Sequence, residues 1–254
     1  MMTCKGWISG VAALCLAVCG GVGARAQRAG TPAEQYLFEM ANHERETRGL
    51  RPLVWNQELA NAARYHAGRM ANANDISHQF TGEPELGARA AAAGAKFSAV
   101  AENVAEAPTV MWMHDGWMKS PGHRANLLDP NLDAVGISVV RRGNQLYAAQ
   151  DFSRRVAVLS FEEQENRVAS LVARGVPNVV ATEDARATCK LETGFVGQRP
   201  WFVMRYTASD LGTLPEVLVT RMATGKYHNA AVGACQAKQG GHFTSYNISV
   251  LLYP

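Results

Sequence analysis

The chain has 254 residues, 47% of them hydrophobic and 19% charged. These proportions exclude a disordered or collagen-like chain and allow one or two globular domains, each with enough chain to bury a core. The 25 basic and 22 acidic residues give a net charge of +3, and no basic stripe interrupts the mixture, so nucleic acid is a poor candidate partner.

Residues 1–26 have the build of a secretory signal. Lys5 supplies the positive start, Ile8 to Val22 is an apolar run too short to span a bilayer well, and Ala24-Arg25-Ala26 is an A-x-A cleavage site. A mature chain beginning at Gln27 is expected, secreted or periplasmic, and not integral to a membrane once cleaved. Cys4, Cys15 and Cys19 leave with the signal. Cys189 and Cys235 remain, and two cysteines in an exported chain are expected to pair. Closing a loop of roughly 45 residues would contribute about 4 kcal/mol by the loop-entropy model.

Thr31-Pro32-Ala33-Glu34 carries the signals of a helix start, and the helix should run to about Arg48 and stop at Gly49. Leu50 to Trp55 reads as a connector. Leu59, Ala62, Ala63, His66, Ala67 and Met70 form one helical stripe ending near Asn74. His66 belongs to that stripe and is expected to be a hydrogen-bonded core histidine. Ile76 to Phe80 reads as irregular or short strand, Glu85 to Ala93 as a short helix ending at Gly94, and Ser98 to Ala105 as extended.

A third long helix should start near Pro108, bury Val110, Met113, His114 and Trp117, and break at Ser120-Pro121-Gly122. A helical turn over His123 to Leu128 is expected next. Ala134–Val140 and Gln145–Phe152 flank Arg142-Gly143-Asn144 as a hairpin. Phe161 to Arg174 is a charged helix before Gly175 and Pro177, read as a connector over 155–175. The remaining 176–254 reads as a small β-rich domain with strands at Trp201–Tyr206, Glu216–Met222 and Phe243–Leu252, stapled by the cysteine pair. No internal repeat or low-complexity tract stands out.

Familiar catalytic motifs are absent. His43-Glu44 begins an H-E-x-x-H string, but Thr47 stands at the second histidine position, and the mature chain has no G-x-S-x-G elbow, P-loop or dinucleotide fingerprint. What remains is a scattered set: Ile76-Ser77-His78-Gln79-Phe80, Ala101-Glu102-Asn103-Val104, and Trp117-Met118-Lys119-Ser120-Pro121-Gly122-His123-Arg124-Ala125-Asn126-Leu127-Leu128. Singly each is weak. In this order, and together with Ala41-Asn42-His43-Glu44-Arg45, Gly49-Leu50-Arg51-Pro52-Leu53-Val54-Trp55-Asn56, Val135-Gly136-Ile137-Ser138 and Tyr147-Ala148-Ala149-Gln150-Asp151-Phe152, they resemble the CAP superfamily, the SCP-like extracellular domain, in its bacterial form.

The resemblance implies an α+β fold, an α-β-α sandwich over 31–154, and a cleft lined by His78, Glu102 and His123. Many members carry a second glutamate three residues after the tryptophan of the third helix. Here Ser120 stands after Trp117, which leaves three strong ligands. Two imidazoles and a carboxylate suffice for Zn²⁺ or another divalent cation, with His78 and His123 carrying the metal and Glu102 as third ligand or base. Alternatively, Glu102 simply fixes both histidines by hydrogen bonds, which is the favoured reading. Arg124 could pair with a nearby acid, Asn126 could cap the turn, and Ser120 is expected as a cap rather than a nucleophile. The function expected is a secreted binding module for a lipid, cell-envelope or protein ligand. The alternative is a metal-assisted hydrolase, a peptidase, in the same cleft.

Overall fold

The structure, a computed structural model, describes residues 30–237 and 241–254. The expected signal segment lies outside these residues. The chain forms two α+β units in sequence, each built on one four-stranded sheet.

In the first unit, α1 (Pro32–Glu46) starts with a capping box. Thr31 Oγ1 accepts from Glu34 N–H, and Glu34 accepts from Thr31 N–H. The short strand β1 (Val54–Trp55) leads into α2 (Gln57–Ala73), capped by Asn56, and Asn74 ends that helix with φ +56°. Then follow α3 (Leu86–Ala92), β2 (Phe97–Ala107), α4 (Val110–Lys119), α5 (Pro121–Leu128) and the hairpin β3 (Ala134–Arg142) and β4 (Gln145–Arg155). The proline that ends α4 also starts α5, because its fixed φ and missing N–H suit a first helical turn. The strands lie in the order β1-β3-β4-β2, with β1 and β3 parallel and the other pairs antiparallel.

Alternation along the strands divides the core. Val135, Ile137, Ala148 and Phe152 pack with Leu37 of α1, Met113 and Trp117 of α4 and Leu127 of α5. Tyr147 and Ala149 face Ala63, Ala67 and Met70 of α2. Helices therefore cover both faces, the sandwich that the resemblance implied. β2 is left at an edge, and the site forms there.

The second unit holds α6 (Phe161–Val172), β5 (Asn178–Ala181), α7 (Glu183–Cys189), β6 (Phe202–Ala208), α8 (Glu216–Met222), β7 (Asn229–Cys235) and β8 (Tyr246–Tyr253). The segment 216–222, read above as a strand, is a helix. Its run of apolar residues is too short to separate the two periods, and Leu218 and Met222, four apart, are the residues it buries. β5, α7 and β7 are elements that the sequence reading did not register. Cys189 at the end of α7 and Cys235 at the end of β7 form the expected disulfide, 46 residues apart in sequence.

The second sheet repeats the topology of the first. Its order is β5-β7-β8-β6, with β5 and β7 parallel. Local details repeat too. Asn56 N–H, just after β1, donates to Val135 O, and Thr182 N–H, just after β5, donates to Val232 O. Each of these residues caps the helix that follows. Gly136 and Gly233 occupy matching places where the helix start crosses the strand. A Cβ on Gly136 would lie 2.0 Å from Ala60 N, and one on Gly233 would lie 2.2 Å from Arg186 N. The units meet where Thr244 N–H donates to Phe97 O at 2.7 Å and Phe243 packs edge-on against Phe97.

Candidate functional site

Three chain segments bring His78, Glu102 and His123 together at the edge strand. Glu102 sits mid-way along β2 with its side chain turned inward, 3% exposed. His78 comes from the loop after α2, and its Nδ1 lies 2.9 Å from Glu102 Oε1. His123 comes from the first turn of α5, on the opposite helical layer, and its ring centroid is 6.3 Å from that of His78. Burial and the nearby His78 hold the His123 imidazole below its usual value, which favours the neutral ring.

The backbone under the histidines is tied down by amides. Asn103 Nδ2 donates to His123 O and to Gln150 Oε1, and Asn126 Nδ2 donates to Glu102 O and Asn103 Oδ1. Asn126 therefore clamps α5 to β2 rather than capping the turn. Trp117 Nε1 donates to Val104 O at 3.0 Å and fixes α4 to the same strand. Ser120 joins α4 to α5, but its hydroxyl makes no cap bond; only its backbone N–H closes α4, on Gly116 O and Trp117 O. A hydroxyl cap was expected, and the Ser120 hydroxyl does not supply it. Arg124 points to Met118 O at 3.5 Å and is exposed, with no acid as its bonded partner among the described residues.

Beneath this surface lies a buried polar cluster that the motif reading missed. Glu102 also accepts from Arg89 of α3, and its second oxygen lies 3.8 Å from His66 Nε2. His66 is fully buried, as its place in the stripe predicted. Its Nδ1 meets Glu83 Oε1 at 2.8 Å and its Nε2 meets Ser77 O at 2.7 Å. Both ring nitrogens of His66 therefore face acceptors. Arg89 also anchors the His78 loop, donating to His78 O and Pro84 O. Asp151 of β4, buried beside Glu102, completes the cluster.

The cation reading finds no support in this geometry. Among the described residues no group of three or more His, Cys, Asp or Glu side chains is arranged to hold a metal ion. The reason is local. Glu102 would be the third ligand, and its oxygens are already engaged by His78 and Arg89. The residues present do not fit a Zn²⁺ site; of the expected clamp, Glu102 holds His78 by a hydrogen bond, while among the described residues no hydrogen bond joins it to the His123 ring.

Residues 38–158 match the model of the cysteine-rich secretory protein family, CAP. The first unit belongs to that family. Among curated relatives, the uncharacterized protein YkwD of Bacillus subtilis (strain 168) is 31% identical over 115 residues, 44% of this chain and 44% of its own length. The uncharacterized membrane protein YlbC of the same organism is 30% identical over 129 residues, 49% of this chain and 35% of its own. The chain thus spans less than half the length of either relative. Among solved structures, an extracellular protein with an SCP domain from Bacillus anthracis is similar at 30% identity and a TM-score of 0.45, covering 48% of this chain and 40% of that one.

Proposed function

We propose that this chain is an exported binding protein that recognises polar groups of a cell-envelope, lipid or protein ligand between His78 and His123. One observation carries the reading: His78 is 61% exposed, yet its Nδ1 is held by a buried carboxylate. A carboxylate accepts only, so Nδ1 donates inward and the neutral ring turns its Nε2 lone pair toward the cleft. A second imidazole stands opposite, 6.3 Å away between centroids. Such a pair suits a hydroxyl, an amide or an acid group lying between the rings. Export is supported by the leader-like first 26 residues and by the Cys189–Cys235 bridge, since disulfides persist in oxidising compartments. Among the described residues no helix is long and apolar enough to cross a membrane.

The test is a binding panel with the purified mature protein: peptidoglycan and other wall polymers, phospholipid vesicles and envelope protein extracts. It is run beside a His78→Ala, His123→Ala double variant. Binding to one class that falls at least about tenfold in the double variant, about 1.4 kcal/mol, is the expected result. A wild type that binds none, or a double variant that binds equally well, refutes the reading.

A further inference from the structure

Asp151 is the one member of the buried cluster to which no donor comes. It lies mid-way along β4, fully buried, and pairs with Glu102 across the β2–β4 ladder. Neither of its carboxyl oxygens has a hydrogen-bond donor within reach. The charged groups around it are Glu102 from β2, Glu83 from the loop before α3, and Arg89 from α3, while His66 from α2 and His78 reach Glu102 from its other sides. Charge balance points the same way. Arg89 is the one guanidinium among these groups, against three carboxyl groups, Glu83, Glu102 and Asp151. Two neighbouring carboxyl groups in a dry site repel unless one of them holds a proton, which then becomes a hydrogen bond between them.

We propose that Asp151 is a positioning residue that remains a neutral acid at neutral pH, donates its O–H to Glu102, and so fixes the carboxylate that orients His78. Glu102 then accepts from three sides, from His78 Nδ1, Arg89 and Asp151. Its charge is held without reorganisation of the cluster, and the His78 ring keeps one tautomer. Burial first, and then the adjacent Glu102, raise the Asp151 carboxyl well above the ordinary carboxylate range, with Arg89 pulling in the opposite direction. The proposal concerns the floor of the cleft, and it stands or falls without reference to which ligand the cleft takes.

Asp151→Asn separates this role from mere packing. The carboxamide donates an N–H where the acid donates its O–H, but it takes up no proton on folding. The wild type must take one up at every pH between the ordinary carboxylate range and the point where folded Asp151 ionises. Urea unfolding of both proteins, with the disulfide intact, is followed from pH 4 to pH 8. The ratio of folding constants, variant over wild type, should rise by about tenfold per pH unit between the carboxylate range and the point where folded Asp151 ionises, and level off toward pH 4. A variant less stable than wild type at pH 7, or a difference flat with pH, overturns the proposal.

The wild type gives a second reading that needs no variant to fold. The carboxyl-carbon resonance of Asp151 at pH 7 should be that of a neutral acid, and a carboxylate resonance overturns the proposal. Ring-nitrogen resonances of His78 should show the Nδ1–H tautomer in both proteins. Its loss in Asp151→Asn overturns the positioning role, since the amide still donates.

Discussion

Arg45 shows how much one side chain can fix. Its guanidinium is buried, makes no ion pair among the described residues, and donates to four carbonyls: Arg51 O from Nε, Leu127 O and Asp129 O from one terminal nitrogen, and Leu132 O from the other, all at 2.9–3.0 Å. A planar fork reaches four acceptors in different directions, and an ammonium on a single stem does not. Arg45→Lys should therefore leave buried carbonyls unpaired and lower stability by about 2–4 kcal/mol, read from urea midpoints. His114 is a different case. Both of its ring nitrogens are buried without a hydrogen bond, and Glu44 lies 3.7 Å away. Burial lowers its pKa, with Glu44 working the other way. Because the folded value lies below the unfolded one, the unfolded chain takes the proton first, so stability is retained above the unfolded value and lost as pH falls through it. His114→Phe should flatten the acid side of the stability profile between pH 7 and 5, by at most about 1.4 kcal/mol per pH unit. An unchanged profile would mean that Glu44 already compensates the charge. Residues of the site were legible in proportion to how local their signal is. His78, Glu102 and His123 stand in short strings that the family resemblance picks out. Glu83, Arg89 and Asp151 act through His66 and Glu102, across α2, α3, β2 and β4. Nothing in an alanine-rich helix announces that its one arginine neutralises a glutamate 13 residues away.

At the scale of elements, the two glycines at the helix–strand crossings make the sharpest prediction. In both units the start of the helix after the first strand presses its backbone against the central strand, and the nearest atoms to a new Cβ are backbone nitrogens and carbons rather than flexible side chains. Nothing there can rotate away. Gly136→Ala and Gly233→Ala should each cost about 2–3 kcal/mol or displace the helix, and thermal unfolding of the pair, beside Gly116→Ala in open space, would show it. If both substitutions are silent, the helix starts do not sit where they are described. Elements with a long clean period were readable: the stripe of α2, the β3–β4 hairpin around Gly143, the capping box of α1. α8 was not, because seven residues hold too little pattern, and an E-V-L-V-T-R-M run is as apolar as a strand. The repeat of topology was invisible for a related reason. Sheet order and a glycine at a crossing are properties of contacts, and they survive substitution of nearly every side chain around them.

For the molecule as a whole, the repeat raises the question of what the second unit retains. Its ladder sets Arg205 against Ser249, where the first sets Glu102 against Asp151, and the matching glycine fixes that alignment. Neither the stretch 190–201 nor α8 contains a histidine. The second sheet thus keeps the frame without the cleft chemistry, and three of its strands are shorter than their counterparts, with β6, β7 and β8 spanning 7, 7 and 8 residues against 11, 9 and 11 in β2, β3 and β4. What it has instead is the bridge from α7 to β7. That bridge ties the helix layer to the central strand, which the first unit does with its buried charge cluster. Cys189→Ala with Cys235→Ala should remove about 4 kcal/mol by the loop-entropy model, and the loss should not spread evenly. Hydrogen exchange followed by fragment should show α7, β7 and β8 exchanging much faster, while β2, β3 and β4 keep their protection, because among the described residues the units are joined chiefly by the Thr244–Phe97 bond, the Phe243–Phe97 contact and the His242–Glu85 ion pair. Exchange rising equally in both sheets would instead make the two units one cooperative body. The second unit would then be a buttress to the cleft, reaching it through Phe97 at the start of the strand that carries Glu102.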